Sequence, residues 1–176
     1  MRSLKFPLLL FVLALLLTAC TKGSPLLFQF RGVDETCWEP SSPVELTLDS
    51  LTEAGPRTCT VYVRTGEAHP YPYTDLYLEV SQRWLIPDSC QAPDTTYAGG
   101  LYRVDTDRYS KHRTLVFCDT VAVPISRSDG INLHAQEAEL PATPDLPVGS
   151  QATFRIRHVM SHYRLPGICE VGLRVD

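Results

Sequence analysis

Short segments in which apolar and polar residues alternate are the feature that most restricts how this chain can fold. Four of them are clear in the sequence, at residues 44–48, 58–63, 152–157 and 169–175. A period of two residues places successive side chains on opposite faces of a strand, so each segment can bury one face in a core. No stretch offers three clean turns of helical periodicity, although residues 129–140 come nearest to it. The pattern therefore predicts strands.

The breakers between these segments indicate how the strands assemble. Fourteen prolines and ten glycines separate them from further extended runs, which lie at residues 26–30, 76–80, 115–117 and 121–125. Many short strands with turn residues between them are typical of an all-β antiparallel sandwich, and we expect a jelly-roll-like one. Prolines and glycines also interrupt residues 85–114, where we predict a long loop or an inserted hairpin.

The amino terminus has the three parts of a secretory signal. The first five residues include two basic ones, residues 6–17 are almost entirely apolar, and the small Thr18 and Ala19 precede Cys20. The apolar run is too short to span a bilayer as a helix. We therefore predict that residues 1–19 direct export and are then removed.

The sequence around the predicted cut, Leu-Thr-Ala-Cys at residues 17–20, resembles the lipobox of bacterial lipoproteins. The resemblance implies cleavage before Cys20, a diacylglyceryl thioether on its sulfur and an acyl chain on its new amino group. Several acyl chains anchor a protein stably, whereas one binds only marginally. The other interpretation is an ordinary signal peptide with a chance cysteine after the cut, but all four features of a lipoprotein signal fall in register. The expected organisation is a signal peptide over residues 1–19, a lipidated tether over 20–25 and one sandwich domain over 26–176.

Length and charge limit the partners of the mature chain. Cleavage would leave 157 of the 176 residues with a formal charge of −6, because the removed segment holds two of the sixteen basic residues and none of the twenty acidic ones. This length fits one domain. The acidic balance argues against nucleic acid or anionic lipid as the main partner. We predict that the lipid on Cys20 is the membrane anchor.

The other cysteines leave the disulfide pattern open. Five remain after Cys20, an odd number, so at least one thiol is free or pairs outside the chain; they are Cys37, Cys59, Cys90, Cys118 and Cys169. Export permits disulfides, but sequence alone cannot choose the pairs. Cys37 and Cys90, in loop-like surroundings, are the better candidates for a bridge, whereas Cys59 and Cys169 lie in alternating runs and are expected to be small buried side chains. The chain has no Cys-x-x-Cys motif of the redox or zinc type.

No motif in the sequence predicts catalysis or a cofactor. His158 and His162 have the spacing of two helical metal ligands, but Val159 stands where the zincin signature needs a glutamate, and the residues before His158 alternate like a strand. The nucleophile elbow, the phosphate-binding glycine loop and the EF-hand loop do not occur. Among the acids, Asp75, Asp119 and Asp129 do not single out the pair that a glycosidase needs. We predict no catalytic, metal or cofactor site.

Two longer stretches carry a more specific pattern. Residues 71–80 read Tyr-Pro-Tyr-Thr-Asp-Leu-Tyr-Leu-Glu-Val, and residues 154–160 end a strand with His158-Val-Met160. Residues 167–174 then read Gly-Ile-Cys-Glu-Val-Gly-Leu-Arg. This order resembles the gliding-motility lipoprotein family GldH, with its Tyr-Pro-Tyr-Ser-Asn-Leu-Tyr-Leu stretch, its His-x-Met, its Leu-x-Gly-Ile and its closing Val-Gly-Leu-Arg strand. Asp119-Thr120 and Asp129-Gly130 resemble two further points of that pattern.

The chain also departs from the family pattern. Residues 85–114 look like an insertion, the glycine-rich segment after Asp129-Gly130 is missing, and Ser161 stands where the family commonly has arginine. The matched residues have a structural interpretation. Gly167 and Gly172 suit a tight turn and a close backbone approach within a strand. We expect His158 and Met160 to pack the edge of the sandwich.

The resemblance implies a non-enzymatic envelope lipoprotein that supports gliding motility or its linked secretion machinery through contacts with other envelope proteins. Lys22 and Ser24 follow Cys20 without a run of acids, so we expect the periplasmic side of the outer membrane. The alternative is a periplasmic carbohydrate- or peptide-binding lipoprotein that presents aromatic residues, with Tyr62, Tyr71, Tyr73, Tyr77 and Trp84 as candidates. A third hypothesis, a hydrolase of the sandwich fold, would require a deep pocket with two close carboxylates.

Overall fold

The strands predicted from the alternation are present. The computed structural model describes residues 24–66, 68–87, 103–106, 112–126 and 135–176. These residues form nine strands and no helix. The strands are β1 (Leu27–Gly32), β2 (Val44–Leu48), β3 (Cys59–Thr65), β4 (Asp75–Pro87), β5 (Arg103–Thr106), β6 (His112–Pro124), β7 (Gln136–Glu139), β8 (Gln151–His158) and β9 (Ile168–Val175). The all-β prediction is confirmed, whereas the signal peptide and Cys20 lie outside the described residues.

The strands form two antiparallel sheets. One has four strands in the order β1-β9-β3-β7, and the other has five in the order β2-β8-β4-β6-β5. The pairs β1–β9, β2–β8, β3–β7 and β4–β6 are nested along the chain, as in one long hairpin that has been rolled up. This nesting is the topology of a jelly roll, in which two Greek keys form a double sheet. The predicted jelly-roll-like sandwich is confirmed.

The core lies between the two sheets, because alternate residues of each strand point inward. Trp84 of β4 and Phe154 of β8 are fully buried, and their ring centroids are 5.7 Å apart in an edge-to-face arrangement. Val61 of β3 and Leu173 of β9 are paired neighbours on the facing sheet and are also fully buried. Burial of each large apolar side chain stabilises the fold by about 1.5–3 kcal/mol.

Residues 136–139 form a strand that was not predicted from the sequence. They lie in the segment with the nearest approach to helical periodicity, but they form β7, which pairs with residues 60–63 of β3. The sequence Gln-Glu-Ala-Glu contains no β-branched or aromatic residue, and none of the four is fully buried. Pairing with β3 therefore overrides a local preference for helix.

The predicted insertion is partly a hairpin. Residues 85–87 and 112–114 belong to the long central strands β4 and β6, and β5 pairs with β6 at the edge of the five-stranded sheet. Residues 88–102 and 107–111 lie outside the described residues.

The topology separates the two ends of the sandwich. At the terminal end, Leu26 donates its N–H to Val175 O at 2.8 Å, and Asp176 exchanges backbone hydrogen bonds with Thr58. At the opposite end, β4 and β9 begin and β8 ends. Along β8 the two ends are about 25 Å apart. Within the described ranges, no helix is long and apolar enough to cross a membrane.

Candidate functional site

The turn before β4 and the loop between β8 and β9 meet at the end of the sandwich opposite Leu26 and Asp176, which we call the motif end. Gly167 has a φ of 86°, and a Cβ there would lie 2.5 Å from Tyr71 N and 2.7 Å from His69 O. Only glycine fits this approach, because any side chain would collide with backbone atoms and φ is in the left-handed region. Gly167 N also donates to Glu35 O at 2.8 Å. The tight turn predicted for Gly167 is confirmed.

A chain of tyrosine contacts leads from the buried layer to the surface of the motif end. Tyr71 is buried, and its hydroxyl donates to Asp75 O at 2.9 Å. Burial raises the pKa of Tyr71, so its hydroxyl stays a donor. The ring of Tyr73 packs edge-on against Tyr71 at 5.5 Å, and the Tyr73 hydroxyl lies 2.8 Å from His162 Nδ1. These contacts hold the turn before β4 against the loop after β8.

His158 is fully buried beneath the loop between β1 and β2. Its Nε2 lies 3.0 Å from Trp38 O, and since a carbonyl only accepts, Nε2 carries the proton. The rings of His158 and Trp38 pack edge to face at 5.1 Å. Burial lowers the pKa of His158, so the imidazole is neutral in the folded chain at neutral pH. His158 therefore packs this end of the sandwich, as predicted.

His162, the second histidine of the pair with the spacing of metal ligands, has different contacts. It lies beyond the end of β8 at His158, is exposed and contacts Tyr73. In the part of the chain that the structure describes, no group of three or more His, Cys, Asp or Glu residues could hold a metal ion.

The outer layer of the motif end includes exposed apolar side chains. Val159 N donates to Tyr77 O at 2.9 Å, and Met160 Sδ accepts from Tyr77 N at 3.4 Å, so the β8–β9 loop continues along β4. The prediction that Met160 packs the edge of the sandwich is confirmed. Tyr77, Val159 and Tyr163 are 47%, 42% and 57% exposed, although each is a large hydrophobic residue. Exposed apolar groups of this kind are candidates for contacts with another protein.

A second surface, the aromatic face, lies on the outside of the four-stranded sheet and consists of Phe28, Phe30 and Tyr62. Their ring centroids are 5.5–6.0 Å apart. Phe30 and Tyr62 flank Gly172 in the strand register, and a Cβ on Gly172 would lie 2.6 Å from the Phe30 ring. Gly172 thus admits an aromatic ring over the sheet, where we had expected a close backbone approach.

Arginine–carboxylate pairs border the aromatic face. The Arg64 guanidinium lies 4.2 Å from the Phe30 ring centroid, and its Nη1 is 2.6 Å from Glu170 Oε2. On the opposite side of Tyr62 from Arg64, Arg174 Nε lies 2.7 Å from Asp176 Oδ2. These pairs are partly exposed to solvent, so each contributes at most about 1 kcal/mol to stability.

The phenol of Tyr62 faces the next strand of the sheet. Burial and a hydrogen bond with Glu137 raise the pKa of Tyr62, while Arg174 opposes them. Tyr62 therefore remains a neutral phenol within the face. Beyond it, Glu137 and Glu139 on β7 are exposed, so the sheet changes from aromatic at β1 to acidic at β7.

The five aromatic residues proposed from the sequence do not form one surface. Tyr71 and Trp84 are buried, Tyr62 and Tyr77 lie on the outer faces of different sheets, and Tyr73 is at the motif end. Phe28 and Phe30 were not among the residues proposed from the sequence. Their spacing of two residues would place both rings on one face of a strand, and this was the signal for a shared surface.

A groove of about 550 Å³ lies between the end of β1 and the start of β2. Charged groups line it, namely Arg31, Asp34, Glu39 and Glu45, together with Cys37 and Trp38. Hydrogen bonds from Thr36 lower the pKa of Asp34, so this carboxylate stays ionised and holds the turn. Within the groove, the Cys37 thiol donates to Glu39 Oε1 at 3.9 Å.

The described cysteines form no disulfide with one another. Cys59 is fully buried and donates to Gln82 Oε1 at 3.7 Å, and burial together with Asp119 and Asp176 raises its pKa to about 12. The prediction of a small buried side chain is confirmed for Cys59, while Cys169 is half-buried. Cys37 is free among the described residues, and its proposed partner Cys90 lies outside them.

Comparison of the chain with protein-family models, with curated proteins and with solved structures gave no match.

Proposed function

We propose that this protein is a lipid-anchored envelope lipoprotein of the GldH type, which acts as a non-enzymatic scaffold in gliding motility or its linked secretion machinery. The observation that carries the proposal is the meeting of the two GldH-like stretches, residues 71–80 and 154–174, at the motif end. Gly167 fits against the Tyr71 backbone, and Met160 fits against Tyr77. Residues of the pattern that are about 90 positions apart in sequence thus contact one another.

The arrangement of the two ends also supports a scaffold. A lipid on Cys20 would attach at the terminal end, where Leu26 is paired with Val175. The exposed Tyr77, Val159 and Tyr163 lie at the motif end, about 25 Å away along β8. The domain would therefore present these side chains away from its anchor, at the periplasmic side of the outer membrane.

The test is affinity purification from the native envelope, with two variants that carry the same substitution. Val159→Glu places a charge at the motif end, and Val148→Glu places one at the other end of β8, where the valine is 53% exposed. In a deletion strain, the wild type and Val148→Glu should recover the same envelope proteins and restore gliding or secretion. Val159→Glu should recover these partners at least about tenfold less well, which corresponds to about 1.4 kcal/mol.

Two outcomes would count against the proposal. If Val159→Glu recovers the same partners as the wild type at equal abundance, the motif end is not the contact surface. If the deletion strain keeps normal motility, secretion and partner levels, the scaffold function itself is wrong.

The groove between β1 and β2 favours a second candidate, a peptide-binding lipoprotein. Each of these strands is at the edge of its sheet, and an extended peptide can add to such an edge through backbone hydrogen bonds. Charged residues such as Arg31 and Glu45 would select its side chains. Extended peptides from envelope digests should then protect amides of β1 and β2 from hydrogen exchange. Protection confined to the motif end, by a folded partner, would favour the scaffold.

A further inference from the structure

The aromatic face exposes hydrophobic surface that the proposed scaffold contacts do not use. Phe28 is 57% exposed, and together with Phe30 and Tyr62 it forms a continuous cluster of rings on the outside of the sheet. This face lies on β1 and β3, whereas the exposed apolar residues of the motif end lie on β4 and the β8–β9 loop. Exposed ring clusters of this kind mark surfaces that contact a partner or a membrane.

The aromatic face begins only a few residues after Cys20, and this position favours a membrane over a protein as its contact. This step rests on the proposed function, since it assumes a lipid on Cys20. Six residues separate Cys20 from Leu27, where β1 begins, and a fully extended chain of that length reaches only about 25 Å. Phe28 is the second residue of β1. The acylated cysteine would therefore keep this ring close to the bilayer surface.

The charges around the rings fit a membrane contact at the β1 edge. Arg64 is neutralised by Glu170, and Arg174 by Asp176, so these groups bring no excess charge to Phe28 and Phe30, while Glu137 adjoins only Tyr62, on the β7 side of the face. The exposed Glu137 and Glu139 are on β7, at the far edge of the same sheet. The β1 edge can thus approach phosphate headgroups while the acidic edge stays farther from them.

We propose that the aromatic face lies in the headgroup region of the membrane and fixes the orientation of the anchored domain. Phenylalanine on an amphipathic surface enters the boundary between headgroups and acyl chains, and tyrosine is enriched at that depth. A sugar fits the face less well. The Phe30 ring already contacts Gly172 and Arg64, and the neighbouring arginines already bind carboxylates, so the polar groups beside the rings that would hydrogen-bond a sugar are engaged.

The experiment uses tryptophan as a depth probe in the full lipidated protein. The two native tryptophans, Trp38 and Trp84, are 1% and 0% exposed, so lipid quenchers should leave their emission unchanged. Phe28→Trp places a probe on the aromatic face. Tyr77→Trp is the matched control on the outside of the other sheet. Each variant is reconstituted into phosphatidylethanolamine vesicles with or without brominated acyl chains, and retention is checked by flotation.

Brominated lipid should quench the added emission of Phe28→Trp about twofold or more, since interfacial side chains reach about 5–10 Å into the boundary. The emission of Tyr77→Trp should not change. If Phe28→Trp floats with the vesicles but is not quenched, the proposal is overturned and the lipoprotein assignment stands. It is also overturned if envelope oligosaccharide, and not lipid, shifts the Phe28→Trp emission. Failure of both variants to float would contradict the lipid anchor, and with it both proposals.

Discussion

Among single residues, Gly167 is a position where this fold tolerates little change. Its φ of 86° and the 2.5 Å approach of a Cβ to Tyr71 N are two separate penalties. Gly55 allows the backbone strain to be measured without the collision, because it has a φ of 141° but nothing within 4 Å of its Cβ position. We expect Gly55→Ala to lower the free energy of unfolding by about 1–3 kcal/mol through backbone strain alone.

Gly167→Ala should cost clearly more than Gly55→Ala, because the turn must also move away from Tyr71. Chemical denaturation of both variants measures the difference. An equal loss in the free energy of unfolding for both variants would show that the backbone at Tyr71 can move away at little cost.

His158 should make the stability of the fold depend on pH. Burial lowers the pKa of folded His158 below the value of about 6.5 in the unfolded chain. Between these two values the unfolded chain binds the extra proton, so this part of the stability is present above about pH 6.5 and is lost as pH falls toward the folded pKa. Denaturation of the wild type and of His158→Gln, at neutral pH and at about pH 5, tests this.

The wild type should lose more stability on acidification than His158→Gln does, since glutamine does not titrate. A loss of the same size in both proteins would show that other groups cause the acid sensitivity.

The sequence could identify some of these residues and not others. Gly167 and His158 were predicted to be structural because each stands at a point where an alternating strand begins or ends. The spacing of Phe28 and Phe30 could have indicated a shared face, but the addition of Tyr62 could not be predicted. Phe28 and Tyr62 are 34 positions apart and meet only across the strand β9 between them. The role of Gly172 could not be predicted either, because Gly172 lies between Phe30 and Tyr62 only once β9 has paired with β1 and β3.

At the scale of elements, the sequence located strands well where one face is buried. β2 spans the predicted residues, β8 extends one residue beyond the prediction at each end, and β9 begins one residue earlier than predicted. The two predicted runs around Asp119 are one strand, β6, because the buried Asp119 continues the inward alternation. β7 was missed because its stability comes from pairing with β3, which no local pattern shows.

Strand β9 should be the element whose core residues matter most, because it lies between β1 and β3. Leu173 is fully buried there, so Leu173→Ala should lower the free energy of unfolding by about 2–5 kcal/mol and reduce abundance in the cell. The matched surface change is Arg155→Ala, whose side chain is 57% exposed and 3.8 Å from Glu45.

We expect Arg155→Ala to cost no more than about 1 kcal/mol. Thermal denaturation of both variants provides the measurement. A cost for Leu173→Ala as small as that of Arg155→Ala would mean that the core can close around the missing side chain.

Across the domain, the jelly roll places Leu26 and Asp176 at one end and the contacts of Gly167 with Tyr71 and of Met160 with Tyr77 at the other. The all-β class follows from the alternation and its breakers, whereas the candidate surfaces depend on which strands become neighbours. The proposed lipid anchor would limit how the domain can be oriented relative to the membrane. The short tether of residues 20–25 alone sets how far this anchor can lie from β1.

The anchor is tested by replacing the cysteine. Cys20→Ala removes the sulfur that would carry the diacylglyceryl group, so the protein should incorporate no labelled fatty acid and should occur as an uncleaved precursor or a soluble periplasmic form. Cys118→Ala is the control, because Cys118 is an exposed thiol within the folded domain and should play no part in lipid attachment. Metabolic labelling and fractionation of cells that express each variant give the result. Label in Cys20→Ala, or its loss in Cys118→Ala, would show that the lipid is attached elsewhere, and the orientation of the aromatic face would have to be derived from a different anchor.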